Sequence, residues 1–396
     1  MKSRTERITS RLFDAAWIIF LISQMVAISA WYALEASELK VIIYKGAAVI
    51  SVGLLVAVII VNIIKKIYSM KAAVGLGVLA VIFALVWYFS RDFMILWIWA
   101  LLAAAVGQSG RRLITISTII TGAALLITVA TSQLGLSVDY LFDETTRARH
   151  GLGFGWTTNA ATLLFFFALG YIFLRKSHFR IWEAAIIELA NVYLYIMTDT
   201  RLPFALLTAV LTFFALPGLK NHIGALAHLK VFFILLPVIV CAVTFAIYFL
   251  PDKDSSVYIW LDNLLSHRLY YGKLGVETYG ITAFGQEIIW AGGSVVESSA
   301  SYLYVDCSYL KILAEGGIGL LAAALAVYTQ LSLRAVRAED YWLVVIIACI
   351  LIHSFTEPRL VDMAFNAFPV LLCAGLEDGE VVYKKEFLKQ IFGGTH

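Results

Sequence analysis

Charge is what this sequence has least of. Asp, Glu, Lys and Arg together make up 14% of its 396 residues, against roughly 25% in an ordinary soluble domain. Hydrophobic residues make up 61%. A water-soluble fold of this length cannot hide that much apolar surface, which excludes a soluble enzyme and a disordered chain and makes lipid the solvent. The formal net charge is +3 with the basic residues dispersed, so no basic face for nucleic acid is expected. Cysteine is scarce too. Of Cys241, Cys307, Cys349 and Cys373, three fall inside apolar runs, and no C-x-x-C or Cys/His cluster occurs. That excludes a disulfide framework and a structural metal site. There is no linker, tandem repeat or low-complexity stretch, so one membrane domain over 1–396 is expected.

What is present is a series of apolar runs. Set against the roughly 20 residues a spanning helix needs, they give about twelve spans: 15–34, 41–64, 72–90, 93–109, 113–132, 156–174, 181–198, 202–219, 229–250, 308–331, 340–356 and 360–376. The fold class is therefore all-α and polytopic. The basic start (Lys2, Arg4, Arg7, Arg11) before an uncleaved first run reads as a signal anchor. With the N-terminus inside, 19 of the 30 Lys and Arg fall in inner segments, Arg111, Arg112, Lys176, Lys384, Lys385 and Lys389 among them, and nine in outer ones, Lys40 and Arg359 among them, which supports both termini in the cytoplasm. Two outer segments are long, 133–155 and 251–307, and the second exceeds a mere connection.

The outer basic residues run against the charge bias and so carry the information. The first segment holds Arg147, Arg149 and His150 beside Gly151, Gly153 and Gly155. Guanidinium forks and approachable backbone suit an anionic group; the plainer alternative is a surface ion pair with Asp143 or Glu144. Asp199 and Arg201 stand at the outer end of adjacent helices, as a pair fixing the turn or aiming the arginine at a ligand. Around 264–274, Leu264, Leu265, Leu269 and Leu274 recur near helical spacing, which predicts an amphipathic helix on the membrane face. There Arg268 and Lys273 either reach lipid headgroups or grip a lipid-linked phosphate. Tyr258, Trp260, Tyr270, Tyr271, Tyr279 and Trp290 suit sugar stacking or an interface belt. Asp306, just before the tenth span, is either a helix cap or a general base. For Gly316, Gly317 and Gly319 the expectation is close helix packing. His353 and Glu357, four apart, are expected on one helix face before Pro358 ends it. They form either an acid/base pair or a structural hydrogen bond.

Five pieces, RHGLGFGWTTN (149–159), YLYIMTDTR (193–201), LLSHRLYYGKLGVETYGITAFGQ (264–286), VDCSYLKILAEGGIGLL (305–321) and HSFTEP (353–358), occur in an order that resembles a known family. It is the O-antigen polymerase/ligase superfamily, in particular the capsular and exopolysaccharide polymerases of Gram-positive bacteria. The resemblance covers about the last 250 residues. It implies a GT-C-like membrane glycosyltransferase on the extracytoplasmic side of the cell membrane. Such an enzyme passes a growing glycan from polyprenyl diphosphate to a hydroxyl of the incoming lipid-linked repeat, with inversion at the anomeric carbon, and needs no cofactor, metal or nucleotide sugar. Matched residue by residue, it implies diphosphate binding by Arg149, Arg201 and Arg268, with Arg147 beside them. It places the base at Asp306, with His353 and Glu357 as rivals, and gives Tyr270, Tyr271 and Tyr309 as glycan contacts. In ligases the base position is often a histidine, so DCSYL favours a polymerase over a ligase; a flippase of lipid-linked glycan is the third reading. The implied partners are donor and acceptor lipid-linked oligosaccharides, with a chain-length regulator and a flippase in the same process.

Overall fold

The computed structural model describes residues 4–31, 38–144, 147–220, 222–291 and 302–376. The helices are α1 (Arg4–Ile28), α2 (Glu38–Ile64), α3 (Met70–Ser90), α4 (Met94–Ala104), α5 (Gly110–Gln133), α6 (Thr158–Arg175), α7 (Ile181–Thr198), α8 (Arg201–Ala215), α9 (Lys230–Phe249), α10 (Ser256–Leu264), α11 (Arg268–Tyr279), α12 (Ser308–Arg337) and α13 (Tyr341–His353). A hairpin of β1 (Leu141–Glu144) and β2 (Arg147–His150) lies between α5 and α6. Among the described residues, eight helices are long and apolar enough to cross a membrane, so the chain is a multi-pass, membrane-embedded, mostly helical protein. α4, α8 and α13 are shorter apolar helices.

The helices begin and end where local chemistry allows. The Ser69 hydroxyl accepts the Ala72 N–H at 3.1 Å to cap α3, and the Asp340 carboxylate accepts from Leu343 N at 3.2 Å to cap α13. Arg91 and Asp199 close α3 and α7 in the left-handed conformation. α6 is the most enclosed span, with 78% of its apolar window buried, whereas α3 has 11%. α6 therefore runs through the centre and α3 on the rim.

The bundle has two distinguishable ends. At one, Gly155 N donates to Ile28 O and Ala30 N to Gly153 O, tying the end of α1 to the chain entering α6. At the other, Arg111 donates to Leu174 O at 2.9 Å, Arg112 pairs with Asp14 at 3.1 Å and Lys176 with Asp340 at 2.7 Å. Three of the cations expected in inner loops, Arg111, Arg112 and Lys176, thus meet at one end. Lys384, Lys385 and Lys389 lie outside the described residues.

The last expected span, 360–376, is not a helix. It makes turns and one short 3₁₀ segment (Phe368–Leu372), yet it runs the length of the bundle. Leu360 N meets Ser308 Oγ at the start of α12, while Gly375 pairs with Gln108 and Gly110 at the start of α5. Irregular backbone at this depth survives only when protein satisfies it. Arg334 donates to Leu371 O, Leu372 O and Ala374 O. Asn366 Nδ2 donates to Leu360 O at 3.0 Å, and Tyr328 Oη to the same carbonyl at 2.8 Å. The first span also differs, starting at Arg4 rather than near 15.

α12 is broken at Gly317 (φ 69°, ψ −173°). A Cβ there would lie 2.5 Å from Gly285 N and 2.6 Å from Thr282 O. The stretch Gly280–Gln286 inserts at the break, where Thr282 O accepts Ile318 N and Ala283 O accepts Gly319 N. The glycines expected to pack helices instead admit a loop into a helix.

The expected amphipathic helix around 264–274 is two helices. Ser266 (φ 54°) and His267 (φ 63°) turn the chain between α10 and α11. α11 buries Leu269, Gly272, Gly275 and Val276, and a Cβ on Gly272 would meet Tyr248 at 2.3 Å. This helix packs on the protein rather than floating on lipid. α10 keeps Val257, Ile259 and Trp260 exposed.

Candidate functional site

Three pieces of chain, more than 80 residues apart at the extremes, meet on one guanidinium. The first turn of α11 delivers Arg268. Its Nε donates to Asp306 Oδ2 at 3.1 Å, and its Nη2 to Glu357 Oε1 at 3.1 Å. The Arg268 and Asp306 side chains are nearly buried and Glu357 is 1% exposed. Burial opposes the Arg268 charge, but Asp306 and Glu357 hold its pKa above the ordinary arginine value. Burial likewise pushes the Glu357 carboxyl up; Arg268 pulls against that shift and the Asp306 charge adds to it.

Ser308 explains why DCSYL and HSFTEP come together. Its N–H donates to Ser354 O at 2.9 Å, and its hydroxyl donates to Glu357 O at 2.6 Å while accepting Leu360 N–H at 3.1 Å. Asp306 does not cap α12. Cys307 holds the cap position without a side-chain bond, which leaves the Asp306 carboxylate to Arg268.

Asp306 also lines a cavity of about 270 Å³. Its other walls are Ala27, Ile28 and Lys40 from the α1–α2 region, Gly155, Trp156, Thr158 and Asn159 at the start of α6, and Tyr304, Pro358 and Arg359. Arg359 is held by Asp362 at 2.7 Å and Asn159 at 2.9 Å, with its guanidinium 3.9 Å from the Phe365 ring centroid. Lys40 Nζ donates to Ser29 O at 2.7 Å. The sequence offered no sign that Lys40, Asn159 and Arg359 belong together. Lys40 and Arg359 had registered only as outer basic residues, and their meeting depends on how α1, α2 and α6 end.

The remaining candidates divide. Arg149 Nε donates to Thr198 O at 2.9 Å, and Arg201, 54% exposed, stands 3.6 Å from Asp199. This second group occupies the α7–α8 corner and is not part of the cavity wall. The backbone of Arg147 is in β2, but its side chain lies outside the described residues. His150 pairs with Asp139 at 2.7 Å, and Asp139 also accepts Leu152 N–H, so this histidine secures the loop. Gly151 N and Gly155 N donate to Tyr140 O and Ile28 O. Gly151 and Gly153 are closely packed, with a Cβ meeting neighbouring atoms at 2.6 and 2.7 Å, whereas Gly155 borders the cavity.

Two expected site residues are core residues. Tyr309 is 0% exposed, and its hydroxyl donates to Leu351 O at 2.9 Å. His353 is fully buried, stacked on Phe165 at 4.3 Å and edge-on to Phe166 at 5.4 Å. Its ring nitrogens have no hydrogen-bond partner among the described residues. The chain keeps an i→i+4 backbone bond past the end of α13, Glu357 N donating to His353 O at 3.1 Å, but the two side chains part, the imidazole to Phe165 and the carboxylate to Arg268. Tyr270 and Tyr271 pack edge-to-face at 5.2 Å, and Tyr271 against Tyr302 at 4.9 Å. Tyr270 remains 46% exposed.

The site can therefore hold a carboxylate in a fixed orientation beside a half-polar cavity with two further cations. No family model matches this chain, and neither a curated protein nor a solved structure matches it.

Proposed function

We propose that this protein is a membrane glycosyltransferase that polymerises lipid-linked oligosaccharide repeats at the extracytoplasmic face of the cell membrane. The observation that carries the reading is the Arg268–Asp306–Glu357 cluster bordering the cavity. One carboxylate is presented to a space large enough for a reacting group, and a buried guanidinium fixes its direction.

In the proposed step, Asp306 accepts the proton of an acceptor hydroxyl. The hydroxyl oxygen bonds to the anomeric carbon of the donor glycan. The bond from that carbon to the diphosphate oxygen breaks, and the electron pair leaves on the diphosphate. Direct displacement inverts the anomeric centre. Cations on this face stabilise the growing diphosphate charge in a site of low dielectric. Arg268 serves mainly as a positioning residue, because its hydrogen bonds go to the carboxylates of Asp306 and Glu357. Arg149 and Arg201 supply cationic surface at the α7–α8 corner, where a second lipid-linked substrate can dock. GT-C-like architecture and a twelve-span count are part of this proposal.

The test is the size distribution of lipid-linked glycan in host cells with and without the gene. Single repeats accumulating on lipid in its absence support polymerisation. Long chains persisting on lipid without reaching their final acceptor would identify a ligase. An unchanged distribution would end the glycosyltransferase reading.

A further inference from the structure

We infer that the cavity beside Asp306 is the seat of the donor's diphosphate, held by Lys40, Arg359 and the first turn of α6. This inference rests on the transfer reading above for the identity of the ligand, but not for the existence of an anion site.

The argument begins with reach. In a displacement, the base, the attacking oxygen, the anomeric carbon and the leaving oxygen lie within a few bond lengths of one another. The leaving diphosphate must then adjoin Asp306. The space that adjoins it is this cavity, whose volume of about 270 Å³ far exceeds the roughly 10–15 Å³ one water needs.

Its walls suit an anion. Lys40 and Arg359 bring two cations from opposite ends of the chain. The negative charge of Asp306 is already matched by Arg268 at 3.1 Å. Asp362 shares the Arg359 guanidinium at Nη1 and Asn159 at Nη2, whereas the buried Arg359 Nε has no partner among the described residues. Thr158 and Asn159 open an 18-residue helix at the cavity wall, and a helix start favours negative charge. That start carries no side-chain cap. A cavity, two cations, an uncapped helix start and the unpartnered buried Nε of Arg359 coincide.

The assignment separates the cations by task. Lys40 and Arg359 hold the diphosphate that leaves, Arg268 aims the base, and the α7–α8 corner is left for the other substrate.

The experiment is equilibrium binding to the full-length protein purified in detergent, with farnesyl diphosphate, farnesyl monophosphate, farnesol and inorganic pyrophosphate as probes. Farnesyl diphosphate is expected to bind, and Lys40→Met to weaken it by roughly tenfold or more, the loss of a charge-assisted bond. Lys253→Gln, at an exposed ion pair with Glu277, is expected to leave that affinity within about twofold. Pyrophosphate binding with the same Lys40 dependence would show that the headgroup alone is recognised. If Lys40→Met fails to fold, Asn159→Asp places a negative charge at the same wall and should weaken binding similarly. Equal binding of farnesol, or loss with Arg201→Gln and none with Lys40→Met, would overturn the assignment. Binding requires no turnover. Lys40-dependent diphosphate binding alongside unchanged cellular glycan would keep the site and end the polymerase reading. Normal polymerase phenotypes without Lys40-dependent binding would do the reverse.

Discussion

Arg268 and Glu357, 89 residues apart in sequence, are joined by a 3.1 Å ion pair whose carboxylate is buried and whose guanidinium is largely so. Deleting one partner of such a pair leaves the other charged and buried, at a cost of about 3–5 kcal/mol. Arg268→Ala is therefore expected to lower thermal stability markedly, and Arg268→Met with Glu357→Gln to recover part of the loss. Thermal unfolding of the single and double variants in detergent measures it. Strictly additive losses would show that the pair is not coupled.

Asp306→Asn keeps the volume of the side chain and an oxygen for Arg268, but cannot take up a proton. Transfer is expected to fall by about 10²–10⁴ while the protein stays folded in the membrane. Normal polymer length in cells carrying this variant would remove Asp306 from the base role.

The Glu357 carboxyl titrates above its ordinary value of 4.5, chiefly because it is buried. Native protein therefore holds that proton more tightly than unfolded chain does. The resulting stabilisation is complete below the ordinary value and is lost as pH rises through the raised one. The stability of the natural protein relative to Glu357→Gln should thus decline from about pH 4.5 upward. Melting temperatures of both proteins across pH 4–8 test it, and a constant difference would contradict the shift.

Gly317 has φ of 69°, and a Cβ there would sit 2.5 Å from backbone of Gly285. Gly317→Ala is expected to prevent the loop from entering the α12 break, giving protein that fails to accumulate or melts far earlier. Gly46, with open space around its Cβ position, should accept alanine without loss. Equal stability of the two variants would show that the break is not required.

The candidate cluster was legible through residues that violate a bias. Arg268 stood on the wrong side of the charge rule, and Asp306 and Glu357 stood at helix ends near it; all three meet. Spacing alone misled about partners. His353 and Glu357 keep an i→i+4 backbone bond, yet the imidazole stacks on Phe165 while the carboxylate meets Arg268. Tyr309 stood among the expected glycan contacts, but its partner, Leu351 O, is a backbone carbonyl that no side-chain pattern advertises. Lys40 and Arg359 were illegible for a deeper reason. Each is an ordinary rim cation alone, and only the arrangement of α1, α2 and α6 makes them neighbours of one cavity.

The irregular stretch from Leu360 to Gly375 bears on how the protein is put together. A helix can enter lipid alone because it satisfies its own backbone. This stretch relies on Ser308, Tyr328 and Arg334 of α12 and on the start of α5 for its partners. It has no stable form in the bilayer before those helices stand together. It must therefore be among the last pieces to take its place, and because it begins beside Glu357, closing the bundle also completes the site.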